Sequence, residues 1–318
     1  STGSEAFLLE PQSTNLITQS ELFTDSSWTK LGQGIGSAPM VTPNYAISPD
    51  GTLNASRLQC DLNGGNTTND RSWLYQSIST ITGDNTFSLY VKNNSNEDIT
   101  FSLTNGSSET VVILSDDKWH RLSTVKSGGG QPRIGLIGGV GASDNADLLI
   151  YGAQVEENSY ATSYIPTSGA TATRNQELCN NATPVINSEE GTLYAEISAL
   201  ANDGTFRVIS LTDGSTSNRV SLIYNTTSNF FRIMVVSSGS TVFDISHSVT
   251  STLDFHKVAI KYKANDFAVW IDGVEVATDT SGATPIGLDR ITFDVGNGTL
   301  NFFGNTKGLK YYPKALAD

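Results

Sequence analysis

Apolar and polar positions alternate with a period of two along most of the chain, the pattern of strands buried on one face. Thr86-Phe87-Ser88-Leu89-Tyr90-Val91 and Asp147-Leu148-Leu149-Ile150-Tyr151 are good examples. The pattern returns in Thr192-Leu193-Tyr194-Ala195-Glu196-Ile197, in Phe231-Arg232-Ile233-Met234-Val235 and in Lys257-Val258-Ala259-Ile260-Lys261-Tyr262. Turn signals separate these runs: Asn63-Gly64-Gly65, Asn105-Gly106, Asp213-Gly214 and Asp272-Gly273. Short strands at this spacing, with almost no helical periodicity, predict an all-β chain of two antiparallel β-sandwich (jelly-roll) domains in tandem. The one helix expected is a stub at the C-terminus, over residues 313–318.

The length of 318 residues fits two domains of about 150 residues each. Their boundary falls after Tyr164-Ile165-Pro166, where a run of Ser, Thr, Gly, Ala and Asn has little to bury. The expected organisation is a sandwich over 1–167, a linker over 168–186 and a second sandwich over 187–318. The halves share no obvious similarity, so they read as unlike modules rather than repeats.

Charge changes the picture by exclusion. Charged residues make up 16% of the chain, and 32 acidic against 19 basic residues leave a net charge of −13. Such a surface repels the phosphates of nucleic acid and an anionic membrane alike. No apolar run approaches the ~20 residues that a membrane-spanning helix needs, so membrane insertion is not expected. Without an initiator Met or a signal peptide, the sequence reads as a mature product or a fragment of a longer protein. Cys60 and Cys179 read either as two unrelated small apolar residues or as a bridge pinning the linker to the first domain. Neither has a second Cys or His at metal-ligand spacing.

Catalytic signatures are absent. His120, His247 and His256 have no partner in a recognisable arrangement, and there is no nucleophile elbow, zinc-binding helix or phosphate loop. Glycosidases need only two carboxylates, and the nearest local candidates are Gln154-Val155-Glu156-Glu157 and Asp272-Gly273-Val274-Glu275. The second is a hairpin turn. Aromatic residues point instead to binding, because a sugar ring stacks its C–H face on an indole or phenol while its hydroxyls bond to Asn, Gln, Asp and Arg. In Arg71-Ser72-Trp73-Leu74-Tyr75, alternation places Arg71, Trp73 and Tyr75 on one face, as core or as a ligand platform. Trp270 in the second half could be another platform or could pack on a neighbouring sheet. Trp28 reads as a core plug, and Tyr311-Tyr312 as the closure of the second sandwich.

Several segments together resemble a known pair of modules. Phe7-Leu8-Leu9-Glu10-Pro11 through Glu21-Leu22-Phe23 and Trp28-Thr29-Lys30 is similar to the opening of a carbohydrate-binding-like module of phage fibre and spike proteins and marine bacterial surface proteins. Ser48-Pro49-Asp50-Gly51-Thr52, Trp119-His120-Arg121, Tyr151-Gly152-Ala153-Gln154-Val155-Glu156 and the closing Ser159-Tyr160-Ala161-Thr162-Ser163-Tyr164-Ile165-Pro166 fit the same module. The second half resembles a concanavalin/laminin-G-like module, on Gly191-Thr192-Leu193-Tyr194-Ala195-Glu196, Asp213-Gly214, Asn265-Asp266-Phe267 and Tyr311-Tyr312-Pro313. The resemblance implies a non-catalytic, extracellular glycan-binding segment of a virion-surface protein that recognises host polysaccharide, as a possible homotrimer. Alternatives are an accessory module of a secreted marine polysaccharide-degrading enzyme, a lyase or hydrolase in one sandwich, and a ligand-free virion decoration. Jelly-roll modules often hold one structural calcium ion, for which Glu21 with Asp147 or Glu156 could supply oxygens.

Overall fold

The computed structural model describes residues 6–78, 81–106, 110–128, 130–179 and 184–317, so part of the expected linker, residues 180–183, lies outside the described residues. Two compact units emerge, Gln12–Asn175 and a second made of Ser1–Pro11 with Gln176–Asp318. The first eleven residues thus group with the C-terminal unit, where the sequence placed them in the first sandwich. The cause is a pairing that local pattern does not show. Strand β1 (Phe7–Leu9) runs antiparallel to the last strand, and Leu9 is buried in that unit's core.

The N-terminal unit holds β2 (Ser13–Asn15), β3 (Thr29–Gln33), β4 (Ser37–Ala46), β5 (Ala55–Asp61), β6 (Arg71–Tyr75) and β7 (Asp84–Asn93). It continues with β8 (Ile99–Thr104), β9 (Thr110–Leu114), β10 (His120–Ser127), β11 (Arg133–Ile137), β12 (Asn145–Glu156) and β13 (Ala172–Arg174). They form two antiparallel five-stranded sheets, β10-β7-β12-β5-β4 and β3-β6-β11-β8-β9, with β2 and β13 paired apart. The alternation decides which side is dry. Phe87, Leu89 and Val91 of β7 meet Leu148 and Ile150 of β12, and across the sandwich Leu74, Phe101, Leu103 and Ile134. Each such large side chain contributes about 2 kcal/mol by leaving water. Trp28 joins this core with its indole N–H donated to Gln19 O at 2.8 Å, as expected of a plug.

The C-terminal unit adds β14 (Glu190–Ala199), β15 (Arg207–Thr212), β16 (Arg219–Tyr224), β17 (Phe230–Ser237), β18 (Ser240–Ser248), β19 (His256–Lys263), β20 (Phe267–Ile271), β21 (Val274–Asp279), β22 (Arg290–Thr292) and β23 (Gly304–Tyr312). Its sheets are β1-β23-β14-β19-β20-β21 and β18-β17-β16-β15-β22, again antiparallel, closed over Leu193, Phe231, Tyr262, Phe267 and Phe302. The chain is all-β, and among the described residues there is no helix. The expected C-terminal stub is instead irregular, its last residue outside the described ones. Thr192 holds it in that form, accepting from Leu316 N and donating to Lys314 O, and six residues are too few to nucleate a helix alone. Both cysteines are free: Cys60 is buried in the N-terminal core, where burial pushes its thiol up to about 12, and Cys179 is half-buried in the other unit.

Candidate ligand-binding face

The last long strand of the N-terminal sandwich is irregular where it matters. Between Tyr151 and Gln154 the register of β12 against β7 slips, and Gly152 takes φ +65° to make the bulge. A Cβ on Gly152 would stand 3.3 Å from the rings of Tyr164 and Tyr90, so the missing side chain also makes room. Below the bulge lies a set of fully buried polar side chains: Asn15, Gln154, Glu156 and Thr162. Gln154 accepts from Ile165 N at 2.6 Å and donates to Thr162 O and Ser163 O. Asn15 donates to Ala153 O and Ile165 O and accepts from Ile17 N and Val155 N. The Glu156 carboxylate takes hydrogen bonds from Ser13 Oγ, Thr162 N and the Thr162 hydroxyl. These bonds clamp residues 13–20 and 162–167 over the end of β12, and each buried group is satisfied by the strand it fixes.

The clamp presents a tyrosine group. Tyr90 and Tyr151 are direct cross-strand partners, and Tyr164 from the clamped segment stands edge-on to both, with centroid separations of 6.0, 6.5 and 5.5 Å. Tyr164 O–H donates to Glu21 at 3.0 Å and its oxygen accepts from Ser20 Oγ at 2.6 Å. Tyr151 O–H donates to Asp50 at 2.8 Å and lies 3.3 Å from Glu21. Asn54 bridges the two carboxylates through its amide nitrogen, while its own carbonyl oxygen is buried with no hydrogen-bond partner. Hydrogen bonds from Ser48 and Thr52, and then Tyr151, hold the Asp50 carboxyl well below the usual carboxylate range. Burial, reinforced by the neighbouring carboxylates, raises both phenols. On the other flank Arg121, paired with Tyr90 in register, places its guanidinium 5.4 Å from that ring and donates to Ser88 Oγ. One row further along, Arg57 lies 5.0 Å from the exposed ring of Tyr45. Planar groups, donors and acceptors thus run across a sheet about 19 Å wide between its outer strands.

The residues expected to form a platform are placed differently. Arg71, Trp73 and Tyr75 do share the outer face of the other sheet, but Trp73 is only 3% exposed. Arg71 and Arg133 lie 4.7 and 4.6 Å from its ring centroid. Arg71 stands two residues before Trp73, and Arg133 pairs with Tyr75 two residues after it, so the indole is flanked along the strand in both directions. Arg71 is further fixed by Thr68 O and Gln33 Oε1. Trp73 is therefore a packed residue, and a sugar cannot reach its faces. Tyr75 is half-buried beside it. Trp270 lies half-buried on the outer face of the six-stranded sheet, opposite Ala259 and Glu275, with Lys261 Nζ 5.7 Å away.

The calcium set does not assemble. Asp147 forms a two-point ion pair with Arg57 and accepts from Asn94, Glu156 belongs to the clamp, and Glu21 belongs to the tyrosine group. Among the described residues no group of three His, Cys, Asp or Glu side chains is arranged to hold a metal. The histidines are structural where their partners are seen. His120 contacts Asp116 at 2.5 Å, and both ring nitrogens of His256 are engaged, by Asp272 at 2.7 Å and Ser251 O at 2.9 Å. His256 and His247 line an open depression of about 550 Å³ in the C-terminal sandwich. Asp272 and Gly273 both have positive φ, as a tight hairpin turn requires.

Sequence reasoning had isolated Glu21 for a different role and had missed Tyr90, Tyr151 and Tyr164. The available signal was two tyrosines at outward positions of strands whose other outward residues are mostly polar.

No family model and no curated protein matches the chain. Among solved structures it is similar to sheep galectin-11 in complex with glycerol, at 7% identity and a TM-score of 0.30, over 42% of this chain and 99% of that one. It is also similar to domains LG4-5 of the mouse laminin alpha1 chain, at 12% identity and a TM-score of 0.31, over 79% of this chain and 90% of that one. Neither likeness bears on what this chain binds. No helix is long and apolar enough to cross a membrane, among the described residues.

Proposed function

We propose that the chain is a non-catalytic glycan-binding segment and that the outer face of the β10-β7-β12-β5-β4 sheet is where it holds a polysaccharide. The observation that supports this is the tyrosine group on the β12 bulge, with Glu21, Asp50 and Asn54 at one edge and Arg121 at the other. The half-buried rings of Tyr90 and Tyr164 offer C–H stacking surface, with Tyr151, itself only 4% exposed, packed against both, and the acids, amide and guanidinium offer hydrogen bonds to sugar hydroxyls. Such shallow contacts are weak singly, so multivalent display is part of the reading. The resemblance of the signature segments motivates the rest: display on a phage fibre, spike or other virion surface, as a trimer, against host surface polysaccharide.

The test is a glycan array with the full chain, run with calcium and again with a chelator, and repeated with Tyr90→Ala. Selective binding that Tyr90→Ala weakens about tenfold is the expected result, equivalent to about 1.4 kcal/mol. Binding in the chelator is expected to match that in calcium, since the carboxylates foreseen as ligands are engaged elsewhere. A blank array would overturn the reading in favour of a ligand-free scaffold. Sedimentation of the purified chain as a monomer would remove the trimer.

A further inference from the structure

The tyrosine face is electrically lopsided. Its carboxylates, Glu21 and Asp50, gather at the Tyr151–Tyr164 side, tied to both phenols and to Asn54. At the Tyr90 side stand two cations. Arg121 is the cross-strand partner of Tyr90, and Lys92, two residues along β7, points to the same face. Both are half-buried. Their surroundings differ from those of the ion-paired cations of this acidic chain, though Arg71 and Arg219 elsewhere are likewise held by neutral groups. Arg57, Arg207, Arg232, Lys261, Lys263 and Arg290 each face a carboxylate within 4 Å. Among the described residues Arg121 meets no carboxylate: its guanidinium has the Tyr90 ring and Ser88 Oγ, and its Nε is buried without a hydrogen-bond partner. Lys92 has neither an ion pair nor a side-chain hydrogen bond among the described residues; across the strand it faces Leu149.

A half-buried guanidinium with spare donors, left uncompensated in a chain of net charge −13, is a site that lacks its anion. Resting on the reading of this face as a glycan-binding surface, we propose that the sugar seated at Tyr90 is anionic. Its carboxylate or sulfate group is held by Arg121 and approached by Lys92, while its ring lies toward Tyr90. The carboxylates at the far side then fix polarity along the polysaccharide. They repel a second acid there and accept from neutral hydroxyls, so an alternating acidic and neutral polymer fits in one direction. Uronic acids and sulfate esters supply the same chemistry to the two cations, and the experiment separates them.

The test measures the affinity of the full chain for hyaluronan, in which a uronic acid alternates with a neutral sugar, for kappa-carrageenan, in which a sulfated sugar alternates with a neutral one, and for neutral dextran, for wild type, Arg121→Gln, Arg121→Lys, Lys92→Gln and Tyr90→Ala. Thermal melts confirm that each variant is folded. Expected is preference for one of the two acidic polymers over dextran, weakened by added salt. Arg121→Gln should cost that polymer about tenfold and Lys92→Gln less, with part of the loss restored in Arg121→Lys. The polymer preferred, carboxylated or sulfated, identifies the group. Equal affinity for dextran, with Arg121→Gln unchanged and Tyr90→Ala weakened, would overturn the anionic assignment and leave the glycan-binding reading standing. If no polymer binds and the array is blank as well, the glycan-binding reading falls and takes this assignment with it.

Discussion

The two outer faces of the N-terminal sandwich each present aromatic side chains at outward positions of a strand, and they have opposite fates. On the β6 face, Trp73 is flanked by guanidiniums in both strand directions and is 3% exposed. On the β12 face Tyr151 is as buried as Trp73, but Tyr90, with a guanidinium on one side only, and Tyr164 stay half-buried, and Tyr151 and Tyr164 are held by their hydroxyls, through Glu21, Asp50 and Ser20. A cation over a ring uses up the surface a ligand would need, whereas a carboxylate at a hydroxyl uses only the edge. Gly135 and Gly152 mark the same contrast in the backbone. A Cβ at Gly135 would overlap the β6 backbone at Ser72 O and Trp73 Cα, whereas one at Gly152 would only touch, at 3.3 Å, rings that stand half open.

The largest test of this contrast is Trp73→Ala. If the indole is packed material, its loss costs about 3–5 kcal/mol, read as a fall in the urea midpoint, with the unfolding slope unchanged. Glycan affinity per folded molecule should stay at the wild-type value. A stable Trp73→Ala chain with lost affinity would reverse the assignment of the two faces. Next comes the clamp. Gln154→Ala removes the side-chain partner of Ile165 N and of Thr162 O, and one of several partners of Ser163 O, at about 1–3 kcal/mol for each group that water cannot reach. Because that segment carries Tyr164, this variant should lose stability and binding together, unlike Trp73→Ala. Gly152→Ala is milder, about 1–2 kcal/mol for a β-carbon in the left-handed region. Its melting temperature should drop by a few degrees, while retention of the wild-type value would show that the bulge has another way to form.

These differences also explain what sequence could and could not reveal. The period-two pattern suffices for strands such as 86–91 because a residue's face depends only on its neighbours along the chain. The clamp was present as Gly152-Ala153-Gln154-Val155-Glu156, but its meaning lies in partners such as Asn15 and Thr162, which only the fold brings near. Trp73 misled because alternation assigns a side chain to a face and is silent on what stacks beside it. Arg133, which flanks Trp73, lies 60 residues away and is positioned by strand pairing. The grouping of β1 with the C-terminal sandwich was hidden for the same reason, since Phe7–Leu9 finds its partner in the last strand. Asp147 and Glu156 were reasonable oxygen donors by type, yet each had a nearer claim on it, from Arg57 and from Thr162.

The smallest effect expected separates the faces by pH. Nothing in the Trp73 stack titrates near neutrality, because guanidinium stays charged and indole stays neutral. The tyrosine face is bounded on both sides. Asp50 has a folded value below its unfolded one near 4, through bonds from Ser48, Thr52 and Tyr151. Its contribution is therefore complete above about pH 4 and is lost as pH falls through the folded value. Tyr151 and Tyr164 have folded values above the free phenol's value near 10, chiefly through burial. Their neutral forms favour folding, and that preference is lost as pH rises beyond about 10. Stability at the tyrosine face should then be flat between about pH 4 and 10 and fall at each end, with the acid limb reduced in Asp50→Asn. Ultraviolet titration of the phenols reads the alkaline limb: Tyr151 and Tyr164 should resist ionisation until the chain unfolds, as should the buried Tyr224 and Tyr262 and, less strongly, Tyr194, so the tyrosine face is read as the difference from a Tyr151→Phe chain. Ionisation of every tyrosine near pH 10 in a folded chain would mean that the group is open to water and that the clamp does not hold it as described.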